Sequence, residues 1–251
     1  MKPAFYGLLL ALQFLTRVPI PVACPWTLAT SRWAVRCYPL VGMLLGALMA
    51  AAGQLFAGLP APLLTLLLLS LWVALSGGLH LDGLMDVADA LGSNTPLEKR
   101  WAIMKDPHVG SFAIIALLFQ LAWKGALLWA WLEAGISLLW LVAVLGLGRL
   151  AAVALLVQVP AARKEGLAWS WQQHLGHRDL LLSMLPLALL WWLTPGWVLA
   201  LGALLFFLLS YGALIIRAFK GINGDIVGAA IEGGELWLLL VVWLSLSSVT
   251  G

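Results

Sequence analysis

Charged residues are scarce in this chain of 251 residues, of which 14 are Lys or Arg and 11 are Asp or Glu. Charged residues make up 10% of the chain and hydrophobic residues 63%, whereas soluble domains average about 25% and about 45–50%. A water-soluble globule needs more polar surface than this, so a soluble enzyme and a disordered chain are excluded. Two cysteines are also too few for a disulfide-stapled secreted scaffold.

The chain contains several long apolar runs. They predict an all-α, polytopic membrane bundle that forms a single domain over residues 1–251. The runs approach the roughly 20 residues of a transmembrane helix and exceed the roughly 10-residue segments of a membrane barrel. We predict six to seven transmembrane helices after an N-terminal helix, Ala4–Leu15, which is too short to span and either lies in the interface or re-enters. The predicted spans are Val35–Leu59, Ala61–Leu79, Val109–Leu132, Gly135–Val159, Leu180–Thr194, Trp197–Phe219 and Ile226–Val249.

The connections between these runs alternate in charge. Three short turns, Gly58–Pro62, Glu133–Ala134 and Thr194–Gly196, contain a single charged residue, Glu133. Every Lys and Arg that lies in a connection falls on the other side, which the positive-inside rule makes cytoplasmic. The N-terminus is then inside, and seven spans place the C-terminus outside.

The densest cluster of acidic residues follows the second run, after the pair Gly77-Gly78. On a helix with 3.6 residues per turn, Asp82, Asp86 and Asp89 lie within about 60° of one another and share one face. Carboxylates this close repel one another, so a positive partner is expected. Hard divalent cations such as Mg²⁺ bind carboxylate oxygens together with substrate phosphates.

A second acidic set opens the last run, at Asp225, Glu232 and Glu235. Asp225 and Glu232 are seven residues apart, close to two helical turns, and therefore share a face. Ionisable residues at this depth usually face a bundle interior or a water-filled cavity. A short surface helix outside the membrane would remove that argument, and this alternative stays open.

Basic residues and one histidine complete the candidate site. Arg149 lies inside a predicted span, where it is expected to meet a carboxylate or a phosphate, while Lys124 can equally well be a paired or snorkelling structural lysine. His80 points about 160° away from Asp82 on an ideal helix. It can be a general base, a metal ligand or a structural residue.

Five segments together resemble the cobalamin synthase family, adenosylcobinamide-GDP ribazoletransferase. They are TRVPIP at 16–21, YPLVG at 38–42, GGLHLDGLMDVADAL at 77–91, IMKDPHVGSF at 103–112 and GINGDIVGAAIEGGE at 221–235. The resemblance implies a multi-pass, Mg²⁺-requiring enzyme of the bacterial inner membrane with its active face toward the cytoplasm. It would join adenosylcobinamide-GDP to α-ribazole or α-ribazole 5′-phosphate and release GMP.

The chemistry of the residues and the resemblance together suggest roles for the site. Asp82, Asp86 and His80 are the catalytic candidates, and either His80 or a carboxylate is the base. Mg²⁺ is expected at Asp82, Asp86, Asp89 and Asp225. Substrate contacts are expected at Arg17, Arg36, Lys105, Asp106, Arg149, Arg163, Asn223 and Glu232.

Two alternatives remain at this stage. The first is an enzyme like the CDP-alcohol phosphotransferases with a lipid-type acceptor, although the D-G-x2-A-R continuation of that class is absent after Asp82. The second is an ion-coupled transporter, which the clustering of acids at one membrane face disfavours. The expected partners are the small-molecule substrates and the bilayer, without nucleic acid. A homo-oligomer or an association with other cobalamin-assembly enzymes is left open.

Overall fold

A computed structural model describes residues 2–194 and 196–247 of the chain. Within these ranges it consists of α-helices, one short 3₁₀ helix and no extended strand, which confirms the all-α prediction. The elements in chain order are α1 (Lys2–Leu15), α2 (Leu28–Arg36), α3 (Tyr38–Leu55), α4 (Ala61–Ser76), α5 (Leu79–Gly92), α6 (Leu97–Ile103), α7 (Ser111–Glu133), α8 (Trp140–Gln158), α9 (Gly166–Gln172), α10 (His177–Ser183), the 3₁₀ helix (Leu185–Leu189), α11 (Leu190–Leu193), α12 (Trp197–Phe219) and α13 (Gly224–Ser247).

Five of these helices, α3, α7, α8, α12 and α13, are long and apolar enough to cross a membrane, and α4 with α5 forms a sixth, bent candidate. The protein is therefore a multi-pass membrane protein. At its centre is α8, which is buried around its whole circumference from Trp140 to Val153. Helix α3 packs closely on α8, because Gly42 and Gly46 present no side chain where the carbonyl groups of Leu145 and Leu141 approach them.

The second predicted span ends early, at a sharp bend. Helix α4 ends at Ser76, and α5 leaves it at 87°. Gly77 and Gly78 make the turn with φ angles of +63° and +70°, in the left-handed region that glycine adopts without steric cost. The double glycine thus turns α5 across the end of α4 and places its carboxylates at one end of the bundle.

The predicted span Leu180–Thr194 is wrong as a continuous helix. The segment consists of α10, the 3₁₀ helix and α11 instead. Pro186 lies in the first turn of the 3₁₀ helix and lacks the N–H group that would extend α10. Pro195, which lies in the predicted turn Thr194–Gly196, and Val249, at which the last predicted span ends, lie outside the described residues.

The broken segment still carries the chain across the bundle. Helices α8 and α12 begin at the same end, where Trp140 and Leu199 line a common cavity. They also finish at the same end, where Ala161, after α8, pairs with Ile222, after α12. The chain must therefore return between these two helices, and the only described elements between them that can make the return are α9, α10, the 3₁₀ helix and α11.

An ion pair fastens this broken segment to the N-terminal part of the chain. The carboxylate of Asp179 in α10 is fully buried and accepts hydrogen bonds from Arg32 at 3.2 Å and from Arg36 at 2.7 Å. It also accepts a hydrogen bond from the backbone N–H of Gly176, at 2.9 Å. Asp179 therefore joins α2 to α10.

We expect Asp179→Asn to destabilise the protein, because two partly buried guanidinium groups lose their counter-charge. The cost is expected to reach about 3 kcal/mol, the order found when one partner of a buried ion pair is removed. Thermal unfolding of the purified protein in detergent measures it. Glu98→Gln is the matched control, because Glu98 is exposed and should tolerate the same change. Equal melting temperatures for the two variants would contradict this role.

Candidate functional site

The three carboxylates of α5 share one face, as their spacing predicts. Asp82, Asp86 and Asp89 line one cavity of about 220 Å³, together with Lys105 and His108 from the α6–α7 connection. Asp82 is exposed, whereas Asp86 and Asp89 are partly buried. The cavity thus contains several carboxylates, at the end of the bundle where the Gly77-Gly78 bend places α5.

Asp89 has a structural partner in this cavity. Its two carboxylate oxygens accept hydrogen bonds from the backbone N–H groups of Gly110, at 2.6 Å, and Ala113, at 2.8 Å. Gly110 is the N-cap residue of α7 and Ala113 lies in its first turn. The N–H groups at a helix N-terminus lack partners within the helix and favour a negative charge. Asp89 therefore caps α7 and connects it to α5.

Asp82 and Asp86 remain available to a ligand. Neither carboxylate hydrogen-bonds to the described part of the chain, and the charges of Asp225, Asp82 and Asp89 all lie close enough to Asp86 to repel it. Like charges held this close favour the arrival of a cation.

Asp225, on α13, joins the α5 carboxylates because the two helices are in backbone contact. A Cβ atom at Gly83 would lie 2.6 Å from the backbone oxygen of Asp225, so only glycine permits this approach. Asn223 orients the end of α13: its amide donates to the Asp225 carboxylate at 2.7 Å, and its oxygen accepts from the N–H of Ile226 at 3.0 Å. Of the second acidic set, Asp225 therefore joins the carboxylates of α5, although it is far from them in the sequence.

The donor chemistry of this cluster fits Mg²⁺, since carboxylate oxygens are the ligands that a hard cation prefers. Among residues 2–194 and 196–247, however, no three His, Cys, Asp or Glu side chains are arranged so that they could hold a metal ion by themselves. Mg²⁺ characteristically binds through one or two carboxylates plus substrate phosphates. Asp82 and Asp86 can provide that number.

A second cavity, of about 410 Å³, adjoins the carboxylates and carries basic residues. Lys105 and Arg163 contact Glu165 with N–O distances of 3.1 and 3.5 Å, and Arg163 lies over the Trp101 ring. The hydrogen bond from Lys105 is the largest cause that lowers the pKa of the Glu165 carboxyl. Lys105 also lines the first cavity, so the two cavities adjoin at this exposed cation.

A third cavity, of about 230 Å³, is largely apolar and meets the second one at Asp225. His80 lines it and is only 6% exposed, with its backbone against Gly228 of α13. As its helical position predicts, His80 lies in a different cavity from Asp82. The three cavities therefore form a series from carboxylates through basic groups to an apolar chamber.

Two predicted substrate contacts, Arg149 and Glu232, lie in the interior instead of in these cavities. Arg149 is ion-paired with Glu235, while Lys124 contacts both Glu232 and Glu235 at 2.6 Å. Gln120 donates to the Glu232 carboxylate at 3.0 Å, and all five side chains are buried. Arg149 thus meets a carboxylate, one of the two outcomes expected from the sequence, and Lys124 is a paired lysine.

The remaining predicted contacts are spread around the same end of the bundle. The side chain of Arg17 packs against Gly77 at the α4–α5 bend. Arg36 is ion-paired with Asp179 and lines none of the three cavities. Asp106 accepts hydrogen bonds from the ring and the backbone N–H of His108, at 2.6 and 3.0 Å, and Lys105, Arg163 and Asn223 line the basic cavity.

Asp179 and the aromatic wall of the apolar cavity were not predicted from the sequence. That wall consists of Phe14, Tyr38 and Trp171, which come from α1, α3 and α9. Their separation in the sequence leaves no spacing signal. For Asp179 a signal existed, because a lone acid near the start of an apolar segment requires a partner.

We expect Gly83→Ala to destabilise the α5–α13 contact, because the backbone of Asp225 cannot move aside as a flexible side chain would. Overpacking of this kind costs about 1–3 kcal/mol. Thermal unfolding in detergent measures the loss. Gly202→Ala in α12 is the matched control, since its Cβ would meet nothing within 4 Å. A Gly83→Ala variant as stable as this control would contradict the close contact.

Comparison with known proteins gives a match over nearly the whole chain. A family model described as cobalamin-5-phosphate synthase matches residues 7–243. Proteins named adenosylcobinamide-GDP ribazoletransferase from Geobacillus kaustophilus and Halalkalibacterium halodurans are 39% and 36% identical to this chain, over the full length of both partners. A protein of the same name from Pseudomonas paraeruginosa is 41% identical over 97% of this chain and all of its own. No solved structure matches the chain.

Proposed function

Because this chain belongs to the cobalamin-5-phosphate synthase family, we propose that it transfers the adenosylcobinamide-phosphate group of adenosylcobinamide-GDP to α-ribazole or α-ribazole 5′-phosphate. The products are GMP and adenosylcobalamin or its 5′-phosphate. The observation that carries the proposal is the meeting of Asp82, Asp86, Asp89 and Asp225 beside a cavity lined by Lys105 and Arg163.

The proposed reaction requires charge to be stabilised at a pyrophosphate. A ribazole hydroxyl attacks the phosphorus that carries the cobinamide, the new O–P bond forms, and the P–O bond to GMP breaks. Positioning and electrostatic stabilisation are the main requirements of such a transfer. Lys105 and Arg163 are exposed cations that line the cavity next to the carboxylates, so they are suited to contact the phosphates.

Asp82 and Asp86 would hold Mg²⁺, with Asp225 and Asp89 beside them, and the bound ion would neutralise charge on the pyrophosphate. Asp89 at the same time holds the N-terminus of α7 through Gly110 and Ala113. The proton of the attacking hydroxyl would go to a carboxylate of this cluster, because His80 lies in the separate apolar cavity.

The active face is proposed to be cytoplasmic, in the bacterial inner membrane. Lys105, Arg163 and Lys220 lie at the end of the bundle that carries the carboxylates, whereas the α7–α8 turn at the other end has Glu133 as its charged residue. This distribution follows the positive-inside rule. It gives the polar substrates access from the side on which nucleotides are available.

The transporter alternative has little support in the buried charges. Lys124, Arg149, Glu232 and Glu235 pair with one another and carry no net charge together. Charges that pair with one another suit the bundle interior better than an ion path, which needs groups that exchange partners. The alternative of a lipid-type acceptor is tested by comparing whether α-ribazole or a lipid alcohol supports GMP release.

We expect Asp82→Asn to lower turnover on the order of a hundredfold, because one charge that holds Mg²⁺ is lost. The assay follows GMP release from adenosylcobinamide-GDP and α-ribazole during a Mg²⁺ titration, and chelation should abolish release reversibly. Glu98→Gln serves as the control, since Glu98 is exposed on α6 and lines none of the three cavities. Near-normal turnover of Asp82→Asn would refute the assignment, and full activity in chelator would refute the Mg²⁺ requirement.

A further inference from the structure

The apolar cavity has the features of a binding site for one aromatic ring system. Three aromatic side chains form part of its wall: Phe14 and Trp171 are 5.4 Å apart in an edge-to-face arrangement, and Tyr38 and Trp171 are 5.5 Å apart. Leu156, Ala168 and Ile231 supply further apolar surface. Aromatic surfaces of this kind favour stacked or edge-on contacts with another ring.

Two of the residues that line the cavity carry polar groups without partners. The Nδ1 atom of His80 has no hydrogen-bond partner in the described part of the chain, and the indole N–H of Trp171 also lacks an acceptor there. Both residues are more than nine-tenths buried. A buried polar group left unpaired costs about 1–3 kcal/mol, so its presence in a native protein calls for an explanation.

The size and lining of the cavity restrict what can occupy it. Its volume of about 230 Å³ is below the roughly 300–1,000 Å³ of pockets that enclose drug-sized ligands. A corrinoid macrocycle is therefore too large. Guanine has polar atoms along most of its edge, and most of them would be left unpaired against this apolar lining. A small, mainly apolar heteroaromatic base with one hydrogen-bond acceptor fits both constraints.

We propose that this cavity binds the aromatic base of the ribazole acceptor, and that His80 donates a hydrogen bond to the unsubstituted ring nitrogen of that base. The inference rests on the proposed function and specifies where the acceptor binds. Neutral imidazole has one N–H donor, which is the group that such a nitrogen requires. His80 is then a residue that determines specificity for the acceptor, and the chemistry takes place at the carboxylates.

The position of Asp225 connects this cavity to the reaction. Asp225 lines both the apolar cavity and the basic cavity, where α13 begins. A base inserted among Phe14, Tyr38 and Trp171 would direct its ribose toward Asp225. The ribose hydroxyl would thus reach the end of the cavity series at which a pyrophosphate can meet Lys105 and the carboxylates.

The test is a steady-state comparison of acceptors and variants with the full-length protein in detergent or nanodiscs. The two acceptors are α-ribazole and its analogue in which CH replaces the free ring nitrogen. We expect His80→Phe to raise the KM for α-ribazole about tenfold, the equivalent of one lost hydrogen bond. The KM for adenosylcobinamide-GDP and kcat should change less than about twofold, and the analogue should bind wild type and variant alike.

His174→Phe is the matched control, because His174 is exposed and lines none of the three cavities. Phe14→Ala provides a second test if His80→Phe fails to fold, since Phe14 is only partly buried. It should raise the KM for both acceptors and leave the KM for adenosylcobinamide-GDP unchanged. Equilibrium dialysis of α-ribazole with the wild type and each variant measures acceptor binding without turnover.

The outcomes separate this inference from the proposed function. Wild-type protein that releases no GMP from the two substrates would overturn the proposed function. Normal wild-type turnover combined with an unchanged acceptor KM in the His80 and Phe14 variants would overturn the acceptor cavity alone. A fall in kcat with an unchanged acceptor KM would instead place His80 in the chemical step, and an equal loss with both acceptors in His80→Phe would indicate a structural role.

Discussion

The ion pairs between α13 and its neighbours are the interaction on which the site depends. Glu232 and Glu235 are buried in the bundle, where an unpaired charge is costly, and their partners come from two other helices, α7 and α8. Because these side chains must meet, α13 is held at one depth and one rotation relative to both helices. Buried ion pairs are weak evidence for stability, but fixing the register between elements is among their best-supported roles. Here the register of α13 decides where Asp225 lies.

From this fixed helix the site is assembled by a few local devices at one end of the bundle. The bend at Gly77 and Gly78 turns α5 across the bundle, and Gly83 lets its backbone contact that of Asp225. Asp89 accepts two hydrogen bonds from backbone N–H groups at the N-terminus of α7. The acidic helix is thus attached on two sides, which leaves Asp82 and Asp86 to face the cavity without partners. The three carboxylates are equivalent in the sequence pattern, but Asp89 has a structural role and Asp82 and Asp86 remain available for the chemistry.

Some predictions about the site residues depend on spacing within one helix, and others depend on which helices pack together. Asp82, Asp86 and Asp89 share a face because that depends only on the helical repeat within one element. Arg149 and Glu232 had the residue types of a phosphate or substrate contact, yet they lie in the bundle interior with Glu235 and Lys124. Spacing along one helix cannot say which face meets a partner helix. Arg36 shows the same limit, because its partner Asp179 is 143 residues away in the sequence.

The sequence by itself determined the membrane bundle, most of its long helices, the side on which charge collects and the shared face of the acidic residues. These follow from composition and helical periodicity, which are local properties that burial in a bilayer enforces strongly. Only the tertiary structure decided that α5 turns by 87°, that the crossing at 180–194 is broken, and that Phe14, Tyr38 and Trp171 line one cavity. Such features depend on contacts between distant segments and on backbone angles at single residues, for which a one-dimensional pattern has no signal.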